Sequence, residues 1–142
     1  NVASIISACR ERGMRIIFTR HGHLDLSKDG GMLGEWWSEN IMYGSKDWEL
    51  IKSLQPHDDD MILDKNSYNA FHGTGLDESL RSIGIEELII TGVLTNCCCE
   101  TTARDAFVRA YRVFFVSDAI ANPRHRVRDV DFCLNLIRNT AT

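Results

Sequence analysis

The sequence predicts an α/β fold: a doubly wound, mainly parallel sheet with helices on both faces, three layers in all. Three observations carry this. Short β-branched apolar runs alternate with helical stretches along the whole chain, the pattern of βαβ units joined by right-handed crossovers. Two of those runs, EELIITGV (86–93) and RVFFVSDAI (112–120), are almost continuously apolar, as strands buried on both faces must be. No repeat or low-complexity tract interrupts the alternation, and 142 residues is the length of one ordinary domain, able to bury a core without disulfide staples.

Each element has its own signal. Val2, Ile5, Ile6 and Cys9 share one face of a helix over 2–13, and Gly13 stands where a C-cap belongs. MRIIFTRH (14–21) reads as a strand. From 22 to 57 the periodicity weakens: KDGGMLGEWW joins turn glycines to two tryptophans, and WELIKSL fits a short helix. An excursion of that length in a compact domain is often functional. DDDMILDK (58–65) is a strand leaving an acidic turn, and GLDESLRSIG (75–84) is an amphipathic helix stopped by Gly84. TNCCCETTARDAFVRAY (95–111) is a helix with Thr95 and Asn96 as cap residues. RVRDVDFCLNLIRNTA (126–141) is a last helix with Val130, Cys133, Leu134 and Ile137 as its stripe. Ligands of such sheets bind at the carboxyl ends of the strands, which points to residues 21–23, Lys65, residues 93–98 and residues 117–118.

Composition narrows the function. A net charge of −4 with scattered Arg and Lys gives no basic footprint, so no nucleic-acid partner is expected. The run NPRHRVRD (122–129) reads as a solvated helix start. No apolar stretch approaches the ~18 residues of a membrane span, and no signal peptide is evident. The chain opens on Asn1 with a helical pattern already under way, so the natural protein is expected to begin upstream. Five cysteines, three of them consecutive, make no disulfide framework and point to a reducing, cytoplasmic setting. Zinc needs spaced Cys or His pairs, and only Cys97 and Cys99 at i, i+2 come near this. No metal and no cofactor is expected.

Cys97, Cys98 and Cys99 fall in the first turn of a predicted helix, where backbone N–H groups and the helix dipole favour a thiolate. On α-helical spacing Cys99 lines up with Ala103, Ala106, Phe107 and Ala110, a face that packs on the sheet. Cys98 lines up with Thr101, Thr102, Asp105 and Arg109 near the cleft mouth, and Cys97 has a mixed setting. Spacing favours Cys98 as the reactive thiol; the alternative is an inert small residue at a helix start. Lys65 is the cation available at a strand end, or else a solvated surface charge.

These residues match a known pattern. DKNSYNAF (64–71), LIITGVLTNCCCETTARDAF (88–107) and VFFVSDAIA (113–121) together resemble the isochorismatase-like cysteine hydrolases. GMLGEWW (31–37) is similar to their nicotinamidase-like members. The resemblance covers essentially the whole chain, and G-V-x-T-N-x-C-x-E-x-T-A-R-D-A is a long pattern. It implies an isochorismatase-like, Rossmann-like sheet and a catalytic triad of Asp, Lys and Cys. The nucleophile falls on Cys98 and the lysine on Lys65. It also implies a cis peptide between Val93 and Leu94, with the Leu94 and Cys98 N–H groups forming an oxyanion hole.

The family's Asp lies at the end of a first strand ahead of the helix at Val2, and nothing in residues 1–142 matches it; Asp25 falls in a later loop. The chain is thus expected to be a single isochorismatase-like domain, 1–142, without the family's first and last strands. The loss of a central strand is expected to expose a hydrophobic slot, and a chain starting at Asn1 to turn over poorly. Metal-bearing nicotinamidases carry an Asp and two His beside the triad; here His23 fits one place, His21 stands where the Asp would be, and no second His falls in the pattern.

The leading implied activity is hydrolysis of a small, nicotinamide-like amide through a Cys98 thioester. Trp36, Trp37 and Phe71 are candidates to sandwich a flat ring, or to be core or interface residues. A second reading is isochorismatase chemistry, vinyl-ether cleavage releasing pyruvate; true isochorismatases carry Gly where this chain has Cys98. A third is an inactive family member used for binding or assembly, supported by the missing Asp. The expected partners are a small-molecule substrate and other copies of the chain in a homo-oligomer.

Overall fold

The computed structural model describes residues 1–122; the helix expected over 126–141 lies outside the described residues. The chain divides into two compact units, Ala3–Thr74 and, with the first two residues, Gly75 onward.

In the first unit, helix α1 (Val2–Glu11) ends as its sequence predicts. Gly13 takes φ +68°, its N–H donates to Arg10 O (2.9 Å), and the Met14 N–H donates to Cys9 O (3.0 Å). The last carbonyls of the helix are thereby satisfied. Strand β1 (Ile17–His21) runs parallel to β2 (Met61–Lys65), in register from Ile17 opposite Met61 to His21 opposite Lys65. Across the pair, Arg20 makes two bonds to the Asp64 carboxylate (2.7 and 2.9 Å), the strong bidentate geometry. Ahead of β2, Arg10 pairs with Asp60, and the His57 N–H donates to the same carboxylate (2.7 Å). Burial alone would raise the Asp60 carboxyl, but the His57 N–H and the Arg10 guanidinium outweigh it and hold it below the usual carboxylate range.

The excursion after β1 departs from the sequence reading in two places. KDGGMLGEWW forms helix rather than turns: α2 (Leu26–Asp29) is capped by the Asp25 carboxylate, which accepts from the Ser27 N–H (3.1 Å), and α3 (Gly31–Trp36) follows. The signal was the N-cap Asp25. WELIKSL does not form a helix. A single 3-10 turn, Lys46–Trp48, ends in an extended Glu49, because Trp48 is held instead under the Arg20 guanidinium (3.7 Å) and against Tyr43.

In the second unit, α4 (Leu76–Ser82) buries Leu76 and Leu80 and closes on Gly84 at φ +70°. Strand β3 (Glu87–Val93) runs parallel to β4 (Arg112–Ala121), with Glu87 and Arg112 ion-paired at the start. The register holds to Ile90 opposite Phe115, then shifts so that Gly92 faces Ile120; Gly92 sits at φ +116°, open only to glycine. A helical stretch, Thr95–Cys99 continuing as α5 (Glu100–Val108), joins the two strands.

Three expectations are corrected. Cys99, Ala103 and Ala106 are buried as a stripe, but Phe107 is exposed at its rim. Ala110 lies past the helix end at φ +69°, where the Tyr111 N–H donates to Ala106 O (2.9 Å). Strands β3 and β4 are not buried on both faces among the described residues: the register partners Ile89 and Phe114 are 41% and 44% exposed. An apolar run shows that both faces can be covered, not what covers them. The four strands hydrogen-bond as two parallel pairs, β1–β2 and β3–β4.

Candidate active site

In the first unit, the register sets His21 and Lys65 side by side at the carboxyl end of their strand pair. Lys65 is buried, and its Nζ donates to the Ser67 carbonyl (2.7 Å). His21 Nδ1 lies 3.4 Å from the same oxygen; a carbonyl only accepts, so Nδ1 carries the proton. His21 is pulled down to about 4, chiefly by burial and then by the Lys65 charge, against the opposing Ser67 hydrogen bond. Its ring is neutral at pH 7, so the lysine is the one charge of this pair.

His23 is fully buried. Its backbone ties β1 to the returning excursion, the His23 N–H donating to Ile41 O (2.8 Å) and the Tyr43 N–H to His23 O (2.9 Å). Its ring stands edge-on to His21, with Nδ1 3.4 Å from Asp29 Oδ1. The three candidate aromatic residues behave differently. Trp36 is 76% exposed; Trp37 is 44% exposed and donates its indole N–H to Tyr68 OH (2.7 Å); Phe71 is buried, its N–H donating to Asn69 Oδ1 (3.0 Å). Sequence reading did not select Tyr68, although the NSY run directly after Lys65 placed it near a strand end.

In the second unit the Val93–Leu94 peptide is cis. The Leu94 carbonyl accepts from the Cys97 N–H (3.3 Å) and the Cys99 N–H (3.1 Å), so Thr95–Cys99 form a wide π-type turn. The expected caps are therefore corrected: Leu94 precedes the first turn, Thr95 is buried inside it, and the Asn96 N–H donates to Asn122 Oδ1 (3.4 Å). A one-residue widening of this kind changes which side chains line up, and it is frequent at functional sites. Cys99 is buried with Sγ 3.9 Å from Thr91 O, Cys97 Sγ lies 3.7 Å from Asn96 Oδ1, and Cys98 is half-buried at the carboxyl end of β3. Cys9, Cys97, Cys98 and Cys99 are not disulfide-bonded. Ser117 and Asp118 are exposed, and Asn1 donates to the Asp118 carbonyl (2.7 Å).

Among the described residues no group of three or more His, Cys, Asp or Glu side chains is arranged to hold a metal ion. No helix of the described residues is long and apolar enough to cross a membrane.

Two parallel strand pairs, β1–β2 in one unit and β3–β4 in the other, with helices between the strands, define an α/β protein. Residues 1–137 match the isochorismatase domain family, and the chain belongs to that family. It is 45% identical over 124 residues to Nicotinamidase 3 of Arabidopsis thaliana, covering 85% of this chain and 62% of the relative. It is 33% identical over 122 residues to the isochorismatase of Bacillus subtilis, covering 86% and 39%. A solved cysteine hydrolase from Pseudomonas syringae superposes with a TM-score of 0.86 at 32% identity, covering 96% of this chain and 70% of the other. That likeness shows the doubly wound α/β fold. The chain thus spans less than two thirds of the length of both curated relatives, 62% of one and 39% of the other.

Proposed function

We propose that this protein is a cysteine amidohydrolase acting on a small, flat, nicotinamide-like amide. The observation that carries the reading is Cys98, half-buried on the turn that leaves β3, in a chain whose relatives include a nicotinamidase at 45% identity. In this reading the Cys98 thiolate attacks the amide carbon and its C–N bond breaks. Ammonia leaves with the proton taken from the thiol, and water cleaves the thioester to release the acid and the thiol. The Leu94 and Cys98 N–H groups stabilise the oxyanion. Lys65 supplies the cation, held by Ser67 O, and Trp36, Trp37 and Phe71 shape the ring pocket. The family assigns the thiol proton to an aspartate that has no counterpart in residues 1–142. A reducing cytoplasmic setting suits three adjacent thiols, and assembly with further copies belongs to the same proposal.

The test is ammonia release from nicotinamide by the full-length protein and its Cys98→Ala variant. The expected loss is at least ~1,000-fold, since the nucleophile has no substitute. Hydrolysis surviving in the Cys98→Ala protein refutes the mechanism. Pyruvate release from isochorismate, with no ammonia from any amide, would favour the chemistry named for the Bacillus relative.

A further inference from the structure

His23 presents a buried histidine that the proposed chemistry does not use. It is fully buried, and neither ring nitrogen has a hydrogen-bond partner. Asp29 Oδ1, 3.4 Å from His23 Nδ1, is buried and lacks a partner as well. Buried polar atoms are nearly always satisfied. The two atoms face each other, and a shift of about half an ångström would close a hydrogen bond between them. The rest of Asp29 is fully committed. Its Oδ2 accepts from the Leu24 N–H (2.7 Å), and its main-chain carbonyl accepts from the Asn66 side-chain amide (3.3 Å). Asn66 is the residue between Lys65 and Ser67, whose carbonyl takes the Lys65 ammonium.

We propose that His23 is a positioning residue: by holding Asp29, it fixes Asn66 and so the direction in which the 65–67 segment aims the Lys65 ammonium. This rests on the role given to Lys65 in the proposed function. The chain of contacts runs within one unit, from the end of β1 through α2 to the end of β2. Its geometric demand is specific. Asp29 needs a donor where His23 Nδ1 stands, and the ring's bulk alone does not supply it.

Two variants separate donor from bulk. His23→Asn keeps an N–H donor near the Nδ1 position and loses the ring; His23→Phe keeps a ring and loses the donor. In the full-length protein, kcat is expected to fall 10- to 100-fold in His23→Phe, the scale of a misplaced group, with KM little changed. His23→Asn should retain kcat within about 3-fold. Thermal stability should rank the other way, Phe at or above Asn, because Phe fills the buried site. Independently of any activity, hydrogen exchange at the Leu24 amide should quicken in His23→Phe and not in His23→Asn. Equal kcat in both variants with unchanged exchange, or a Phe variant that outperforms Asn in both, overturns the inference. If Cys98→Ala stays active, the amidohydrolase reading fails by itself, and the exchange ranking still decides whether His23 holds Asp29.

Discussion

Replacing Gly22 with alanine is expected to destabilise the first unit even though its backbone angle suits any residue. Taken alone, Gly→Ala at a compatible position stabilises by about 0.4–1 kcal/mol through the unfolded chain. Here a Cβ would stand 2.8 Å from Trp48 Cδ1, 2.8 Å from Tyr43 Cδ1 and 3.1 Å from Tyr43 Cε1. Ordinary carbon contacts are about 3.5–4.0 Å, so both rings must retreat by nearly an ångström. Neither can do so easily: Trp48 lies under the Arg20 guanidinium, which is bound to Asp64, and Tyr43 is stacked edge-on to Trp48 while its N–H is bonded to His23 O. Overpacking of this kind costs about 1–3 kcal/mol, leaving a net loss of roughly 1–2 kcal/mol after the entropic gain. At this chain length that lowers Tm by about 3–7 °C. Urea unfolding followed by tryptophan fluorescence measures it, with Trp48→Leu as the paired background. Trimming the ring should reduce the cost of the alanine by at least half. A Gly22→Ala protein as stable as the parent, or a cost unchanged in the Trp48→Leu background, would refute the packing argument.

Asp60→Asn leaves the Arg10 guanidinium, mostly buried, without its carboxylate; because Arg10 keeps some solvent access, a loss of about 2–3 kcal/mol is expected in denaturant unfolding. The double change Arg10→Met with Asp60→Leu should recover most of it, and a double variant no better than Asp60→Asn would contradict the desolvation account. His21 makes stability depend on pH in a defined window. Its folded value of about 4 lies below the ordinary 6.5, so the unfolded chain binds the proton first and the parent loses stability as pH falls from 6.5 to about 4. The full shift corresponds to about 3 kcal/mol, and solvent screening of a part-exposed ring leaves on the order of 1–2 kcal/mol. His21→Gln should gain on the parent by that amount across the window, and parallel stability curves would show that His21 is not held neutral.

Residue pattern determined the elements more fully than their surroundings. All four strands, α1, α4 and the helical stretch after β3 were legible because apolar periodicity and capping glycines are local properties of the chain; Gly13 and Gly84 stop their helices where the sequence places them. Two features escaped. The π-type turn at Thr95–Cys99 was invisible to an argument that assumed 3.6 residues per turn. Exposure of Ile89 and Phe114 depends on what packs against a strand, which its own composition does not specify. Lys65 and Cys98 were selected from strand-end position and the family resemblance together, and the structure puts each at the carboxyl end of a strand. Tyr68 and the buried His23–Asp29 contact were missed because they join residues from different elements, brought together by tertiary packing alone.

The central claim is that Cys98 is the reactive thiol, and site-resolved alkylation tests it most directly. The folded protein is treated with limiting iodoacetamide at neutral pH, quenched, digested and mapped by mass spectrometry. Cys99 is buried, Cys97 lies against Asn96 Oδ1, and Cys98 is half-buried at the strand end. The account predicts that Cys98 is modified first, at least about 10-fold faster than Cys97, Cys99 or Cys9, and that nicotinamide slows the labelling. Equal labelling of Cys97 and Cys98, or labelling led by another cysteine and indifferent to nicotinamide, would contradict it.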